Sequence, residues 1–273
     1  MQGLLVGACA IMVPRGMDYY RVVDTATGRI EWFETRGREY LTWLLPPANE
    51  DPVSDALAYT GRYQWELISL ALRLLPQGAT FLDVGAYVGP WSLLIAKARP
   101  DVRVDAYEPQ TLALGQLCAN VFLNHLPNVR PHPFALGAHA GVAQLRLPDL
   151  KNRASATLAQ GGNIIESVDV VTLAETHLTP DLIKLSVNGS EEAVLAGGFA
   201  MLRRRQPILL LDMPDVRRHR GRQDAESLCA YLTKLGYVYD CLYEQHHIAV
   251  PESRRAEVLG AWAELKPRPA DRP

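Results

Sequence analysis

The stretch from Phe81 to Gly89 constrains the fold of this 273-residue chain more than any other. It opens with a short apolar run that reaches Asp83, as expected of a buried strand. Gly85 and Gly89 follow with three residues between them, and they favour a tight turn where backbone approaches a ligand closely. Pro90 suits the first position of a helix, because an N–H there would have no helical partner. The pattern therefore predicts strand, glycine turn and helix, the unit by which a doubly wound domain holds a nucleotide-like cofactor.

Asp83 indicates which cofactor the turn would hold. A dinucleotide site has the pattern G-x-G-x-x-G and presents helix N–H groups to a pyrophosphate, whereas this chain reads D-x-G-x-x-x-G. A carboxylate here would repel a pyrophosphate and suits a cation, such as the amino group of S-adenosylmethionine. A second strand pattern ends at Glu108, where a carboxylate is placed to accept both hydroxyls of a ribose. Two acids at matching strand ends favour cofactor binding over a purely structural role.

From Ala79 onward, strand patterns alternate with helical patterns, which predicts an α/β fold. We expect a Rossmann-like, doubly wound, mainly parallel sheet with right-handed crossovers and an antiparallel C-terminal edge hairpin. The expected strands lie near Thr80–Gly85, Val102–Glu108, Val129–Ala135, Leu182–Val187, Ile208–Asp212, Tyr237–Tyr243 and Ile248–Pro251. The expected helices are Trp91–Lys97, Thr111–Asn124, Glu191–Leu202 and Asp224–Leu235.

The chain divides into three predicted regions. Residues 1–76 are expected to form a small β-rich cap, with a hairpin whose turn lies at Thr25–Gly28 and an amphipathic helix over Tyr63–Leu75. Residues 77–265 form the cofactor-binding domain, and residues 266–273, rich in proline, are expected to be a disordered tail.

Composition narrows the class of partner and the compartment. A net charge of −2 gives no reason to expect nucleic acid. The four cysteines show neither a C-x-x-C pair nor zinc spacing, which fits reduced thiols in a cytoplasmic protein. The apolar stretch at residues 3–13 lacks a basic region before it and is too short to cross a bilayer. We therefore expect a cytoplasmic protein with no membrane partner.

From about Thr80 to Pro214 the chain resembles FkbM-type methyltransferases, a family of class I S-adenosylmethionine-dependent enzymes. The matching segments, in order, are Asp83–Gly89, Tyr107–Pro109, Leu117–Asn124, Ala135–Gly137, Val171–Leu173, Leu182–Glu191, Leu195–Gly198 and Pro207–Asp212. The family usually has Asn at the position of Tyr87 and Asp at that of Ala174. It also has carboxylates at the positions of Ser186 and Asn188.

The resemblance implies an O-methyltransferase that uses S-adenosylmethionine and acts on a hydroxyl of a sugar, polyketide or related small metabolite. It implies that the adenine lies beside Ala135 and Leu136. Together with the acids above, the implied cofactor-binding residues are Asp83, Gly85, Ala86, Tyr87, Gly89, Glu108, Pro109, Ala135 and Leu136.

Candidate catalytic residues follow the later strands. Asp212 closes the fifth strand at the sheet edge where ligands bind, so it is the best candidate for a general base. Lys184 lies in an apolar strand, where a lysine is costly to bury unless it is paired or functional. Ser186 and Asn188 can hydrogen-bond a substrate, but neither is a good base, and Asn188 also fits a helix cap. Because Ser186 is not a hard oxygen anion, no metal is expected.

Arg217, Arg218 and Arg220 form a dense basic loop after the fifth strand. The loop would either capture a phosphate or carboxylate of an anionic acceptor or be a plain solvated loop. The nearby histidines, His246 and His247 among them, could titrate near neutrality, although a surface position is the commoner explanation.

Two other functions stay open at this point. The missing carboxylates also fit a catalytically impaired S-adenosylmethionine-binding protein with a regulatory role. A dinucleotide-dependent oxidoreductase is a third candidate, against which Asp83 and the absent G-x-G argue. A homo-oligomer is also compatible with the sequence.

Overall fold

The computed structural model describes residues 19–25, 28–34, 41–46, 51–60, 63–147, 152–158, 162–212 and 222–265. The strands are β1 (Tyr19–Thr25), β2 (Gly28–Glu34), β3 (Thr42–Leu45), β4 (Thr80–Val84), β5 (Arg103–Tyr107), β6 (Val129–His132), β7 (Ala135–Gly137), β8 (Gly141–Leu147), β9 (Asn163–Thr172), β10 (Leu182–Leu185), β11 (Ile208–Asp212), β12 (Val238–Tyr243) and β13 (His246–Val250). The helices are α1 (Pro52–Thr60), α2 (Trp65–Leu74), α3 (Pro90–Ala98), α4 (Thr111–Leu123), α5 (Glu191–Ala196), α6 (Phe199–Arg205), α7 (Arg222–Leu235) and α8 (Glu252–Leu265).

The central sheet has seven strands in the order β6-β5-β4-β10-β11-β13-β12. The pairs from β6 to β11 are parallel, while β13 runs antiparallel to both β11 and β12. This confirms the Rossmann-like fold and the antiparallel edge hairpin, and with them the class I methyltransferase fold that the resemblance implies. The chain leaves β4 toward β5 on one side and returns to β10 on the other. A crevice therefore opens at the carboxyl ends of β4 and β10, where doubly wound proteins bind ligands.

Both faces of this sheet are buried, as expected of parallel strands covered by helices. Successive residues of one strand point to opposite faces, so Phe81 joins one apolar cluster and Leu82 the other. Leu182 and Ile183 divide in the same way, and all four side chains are at most 1% exposed. The apolar runs in the sequence are therefore explained by burial on two sides.

Two predicted elements are wrong in extent. The strand expected over Val129–Ala135 is two strands, because β6 ends at His132 and β7 belongs to a separate sheet of order β7-β9-β8. Pro131 lies inside β6, which tolerates it as an edge strand. The helix expected over Glu191–Leu202 is also two elements. They separate at Gly197, where a Cβ atom would lie 2.1 Å from the carbonyl oxygen of Gly137.

The N-terminal hairpin prediction is confirmed, since β1 pairs with β2 and β2 with β3. Asn120 of α4 joins this small sheet to the central domain. Its Oδ1 accepts from the Leu44 N–H at 2.5 Å, and its Nδ2 donates to the carbonyls of Leu44 and Val88 at 3.2 and 2.9 Å. The division into regions at residue 76 stays a prediction, and the tail from 266 lies outside the described residues.

None of the helices in the described ranges combines the length and the apolar composition that crossing a membrane requires.

Candidate active site

The turn after β4 is held against the two strands beside it. The N–H groups of Gly85 and Ala86 both donate to the Tyr107 carbonyl at 3.0 Å. Gly85 has φ +75°, and a Cβ atom there would lie 2.1 Å from the Ser186 carbonyl oxygen. Only glycine fits this contact, so the spacing seen in the sequence serves the close approach of the turn to the end of β10.

Glu108 lies just beyond β5 with its carboxylate facing the turn. One oxygen accepts from the Tyr87 N–H at 2.7 Å, and the other accepts from the Gln110 N–H at 2.9 Å. The residue is 6% exposed. Burial raises the pKa of Glu108 to about 7, although these two hydrogen bonds and the charge of Lys184 act in the opposite direction. The carboxylate is therefore fixed in place and titrates near neutral pH.

A cavity opens at the switch point of the sheet, and the space in it, counted out into open solvent, is about 580 Å³. Eight of the predicted cofactor, catalytic and substrate residues line it: Gly85, Tyr87, Glu108, Pro109, Ala135, Leu136, Ser186 and Asn188. One part is apolar and includes Phe134, Leu145 and Leu158, whereas Glu108 and Ser186 supply polar atoms. A mainly apolar lining with a few placed polar groups is typical of small-molecule sites.

Three predicted cofactor residues do not line this cavity. Ala86 and Gly89 belong to the turn but are not part of the cavity lining. Gly89 directly precedes α3 and has φ +95°. Asp83 is fully buried, where it accepts from the Ser92 hydroxyl at 2.7 Å and pairs with Lys184 Nζ at 3.1 Å. The Asp83 carboxylate therefore interacts with other residues of the protein and does not line the cavity.

The contacts of the Lys184 ammonium explain how its charge is accommodated in the interior. Besides the pair with Asp83, its Nζ donates to the Gly85 carbonyl at 2.6 Å. A buried lysine needs such partners because an unpaired charge is costly in the interior. Lys184 therefore ties the middle of β10 to the glycine turn.

Tyr87 joins the turn to the N-terminal region. Its φ is 52°, and its hydroxyl donates to Asp51 Oδ2 at 2.6 Å. Asp51 is 2% exposed and also accepts from the Ser54 N–H of α1 at 2.7 Å. Burial, followed by the charge of Asp51, raises the pKa of the Tyr87 hydroxyl well above its usual range. Tyr87 therefore connects the turn to α1.

Asp212 lies at the end of β11 between a serine and a histidine. The Ser186 hydroxyl donates to Oδ2 at 2.6 Å, and His246 Nδ1 lies 2.5 Å from Oδ1. Burial acts to raise the pKa of Asp212, but His246, Ser186 and Lys184 together hold it below its usual value. A carboxylate with a lowered pKa is a weak base at neutral pH.

A second, small cavity lies on the other side of this group, with room for about one water-sized group. Its lining residues include Asp212, Lys184, His246 and Gln64. Ser186 lines the first cavity and donates to Asp212 of the second, so the Ser186–Asp212 hydrogen bond stands between the two.

Asn188 is an anchor and not a helix cap, which corrects the capping interpretation. Its Nδ2 donates to the carbonyls of Ala154 and Ala156 at 3.1 and 2.9 Å, and the Thr157 hydroxyl donates to its carbonyl at 2.7 Å. It thereby holds residues 152–158 at the cavity. The residue that precedes α5 is Ser190, which makes no capping bond with its side chain.

Other predicted features are placed as follows. Arg217, Arg218 and Arg220 lie outside the described residues, so their role stays a prediction. Across the part of the chain that the structure describes, no group of three or more His, Cys, Asp or Glu side chains could hold a metal ion.

His246 was not among the site residues predicted from the sequence. Its position follows from the register of the edge hairpin, in which His246 pairs directly with Asp212. The sequence does offer one signal. His246 begins β13, the second strand of the edge hairpin, and β13 pairs with β11. The register itself cannot be read from the pattern.

No family model and no curated protein matches this chain. Similar solved structures include methyltransferase FkbM from Methylobacillus flagellatus KT, at 17% identity and a TM-score of 0.44, covering 63% of this chain and 43% of that one. A SAM-dependent methyltransferase from Aquifex aeolicus has 15% identity and a TM-score of 0.44, covering 74% and 92%. A SAM-dependent O-methyltransferase from Thermotoga maritima has 13% identity and a TM-score of 0.42, covering 85% of each chain. The chain spans less than half the length of the first of these, and the fold assignment rests on the order of its own sheet.

Proposed function

We propose that this protein is an S-adenosylmethionine-dependent methyltransferase that methylates a hydroxyl of a small molecule. The observation that carries the proposal is the carboxylate of Glu108, fixed by two backbone N–H groups and lining the cavity at the switch point of the sheet. When bound, S-adenosylmethionine supplies a methyl group already activated on a sulfonium. Positioning of the acceptor then accounts for much of the rate.

The lining of the first cavity fits this cofactor in chemistry. A carboxylate oxygen has about two lone-pair sites, so each oxygen of Glu108 retains acceptor capacity for a ribose hydroxyl beyond its backbone bond. The apolar surface of Ala135, Leu136 and Phe134 suits the adenine ring. Gly85 and Tyr87 would face the methionine end. Asp83 would contribute indirectly, by holding Lys184 beneath the turn.

We place methyl transfer at the junction of the two cavities, beside Ser186, Asp212 and Lys184. The acceptor would be a hydroxyl of a sugar, polyketide or related metabolite. An anionic acceptor would be recognised by Arg217, Arg218 and Arg220. Asn188 would act on the acceptor through residues 152–158, because its amide is occupied by their carbonyls.

A second candidate function has its own observation. Ser186 and Asn188 stand where the family has carboxylates, and both are engaged within the protein. A protein that binds S-adenosylmethionine for regulation and no longer transfers the methyl group would show the same arrangement.

Calorimetry with S-adenosylmethionine, S-adenosylhomocysteine and NAD tests the cofactor. We expect binding of the first two and none of NAD, and preferential binding of NAD would refute the proposal. Release of S-adenosylhomocysteine is then measured over a panel of monosaccharides, polyols, phenols and their phosphates. Turnover with one of these favours the enzyme, whereas tight cofactor binding without turnover on any acceptor favours the regulatory alternative.

A further inference from the structure

We infer that the second cavity receives the hydroxyl of the acceptor and that His246 is the general base that deprotonates it, with Asp212 as its positioning residue. This inference rests on the proposed function. It assigns the role of general base to His246, whereas the sequence had favoured Asp212. It is carried by four contacts, two made by the imidazole ring of His246 and two made by its partners Asp212 and Gln64.

The first contact orients the ring. His246 and Asp212 face each other across the antiparallel pair of β13 and β11, and Nδ1 lies 2.5 Å from Oδ1. The side chain of His246 is 8% exposed and that of Asp212 is 22% exposed, so the pair is largely shielded from water. A buried carboxylate on Nδ1 stabilises the imidazolium that forms when the other nitrogen takes a proton.

The second and third contacts assign the tautomer. Trp91 Nε1 is a donor only, and it donates to Gln64 Oε1 at 2.7 Å. The amide nitrogen of Gln64 must therefore be the atom that faces His246 Nε2, at 3.5 Å. Because that nitrogen is a donor, Nε2 of the neutral ring carries the lone pair, and Nδ1 carries the proton donated to Asp212. This contact is at the long limit of a hydrogen bond, so an acceptor hydroxyl that enters the second cavity can replace the Gln64 amide at Nε2.

The fourth contact excludes two other roles. Ser186 donates its proton to Asp212 and makes no hydrogen bond with His246, so it is not activated as a nucleophile. Asp212 accepts from both neighbours, and its lowered pKa makes it a poor base at neutral pH. Ser186 lines the first cavity, and its hydrogen bond to Asp212 therefore places His246 one carboxylate away from that cavity.

An aromatic ring and several titratable groups surround the imidazole of His246. Tyr243 packs against it at 4.8 Å between ring centroids. Burial, followed by the charge of Asp212, raises the pKa of Tyr63 nearby above its usual range, so this phenol stays protonated. Asp212 is the anion facing the ring, and Lys184 and His247 complete the titratable groups of the second cavity.

The step balances without another reactant. The acceptor oxygen gives its proton to Nε2 and forms a bond to the methyl carbon. The carbon–sulfur bond breaks, and its electron pair stays on sulfur. The proton on Nε2 leaves to solvent after the methylated product departs.

The first experiment reads the tautomer directly and needs no acceptor. Long-range ¹H–¹⁵N spectra of the labelled protein with S-adenosylhomocysteine at pH 8 report both ring nitrogens of each histidine, and His246→Gln assigns the signal by its disappearance. We expect Nδ1 protonated and Nε2 unprotonated, with this preference lost in Asp212→Asn. A ring protonated on Nε2 at pH 8 would overturn the inference.

The second experiment uses the acceptor that the panel identifies. General base catalysis is worth about 10²–10⁴-fold, so His246→Gln should lower kcat by that factor and remove the dependence of kcat on pH that a histidine base imposes. The Kd of S-adenosylmethionine should stay within about twofold, which also shows that the variant folds. His139→Gln, at an exposed turn position, is the matched control and should change neither constant.

The two proposals fail separately. If wild-type protein does not bind S-adenosylmethionine, the proposed function is refuted whatever the tautomer. If it binds and transfers the methyl group, but His246→Gln keeps its kcat and its pH profile, the function stands and the base is another group. If no acceptor in the panel is methylated, the tautomer experiment tests the inference, and a ring protonated on Nε2 at pH 8 overturns it.

Discussion

The titration of Glu108 near pH 7 makes a specific prediction about cofactor affinity. Only the ionised carboxylate can accept from both ribose hydroxyls while it accepts from the Tyr87 and Gln110 N–H groups. Because burial raises the pKa of Glu108 to about 7, a growing share of the protein is in the protonated form as the pH falls below 7. The affinity for S-adenosylmethionine should therefore fall with the pH.

The size of the effect follows from that pKa. At pH 6 about one tenth of the carboxylate is ionised, so the apparent Kd should be about tenfold weaker than at pH 8.5. Binding at pH 7 should release about half a proton, since the carboxylate ionises on binding. Hydrogen bonds to a charged group contribute about 1.5–3 kcal/mol. Glu108→Gln should thus weaken binding by about 10- to 150-fold at pH 8.5 and remove the dependence on pH.

Calorimetry measures both quantities. Titrations from pH 6 to 8.5 give the affinity, and repeats at pH 7 in buffers of different ionisation enthalpy give the proton release. Glu175→Gln is a matched control, because Glu175 also accepts a backbone N–H but lies in an exposed turn that does not line the cavity. A wild-type Kd that does not change with pH, or a Glu108→Gln variant with unchanged Kd, would show that this carboxylate does not bind the ribose.

Three further predictions concern other parts of the site. Lys184→Met should lower the free energy of unfolding by about 3–5 kcal/mol in urea titrations, because it leaves Asp83 buried without its partner charge, and a loss below 1 kcal/mol would contradict the pairing. Methyl transfer should be unaffected by EDTA, since Ser186 offers no anionic oxygen, and a loss that Mg²⁺ restores would contradict this. Replacing Arg217, Arg218 and Arg220 with Ala should raise the KM of an anionic acceptor, most strongly at low salt, and leave the Kd of S-adenosylmethionine unchanged. If neither constant moves, the loop is a solvated face.

Those parts of the fold that depend on local pattern could be predicted from the sequence. Strand β11 matches its predicted bounds, and β4, β5 and β10 lie within theirs, because both faces of the sheet bury almost every residue of these strands and most of those residues are apolar. Strands β8 and β9 were not predicted. Three of the seven residues of β8 are exposed and its pattern is mixed, so it lacks the continuous apolar signal of the central strands.

The candidate site was predictable only where a residue acts from its own strand end. Glu108 lines the cavity as expected, because the end of β5 places it there. Asp83 also lies at a strand end, but a lysine one strand away takes up its charge. The His246–Asp212 and Tyr87–Asp51 contacts join residues 34 and 36 positions apart. Such pairs are set by sheet register and by the packing of α1, which no short pattern encodes.

The hydrogen bond from Tyr87 to Asp51 has a consequence for how the protein opens locally. A ligand that binds at the glycine turn adds its binding free energy to the stability of the closed form, in proportion to its concentration relative to Kd. Because Tyr87 couples that turn to the start of α1, part of this free energy must be overcome before α1 can detach. Amide hydrogen exchange in α1, which does not line the cavity, should therefore slow when the cavity is filled. Exchange in helix α1 would then report, from a distance, whether the cavity is occupied.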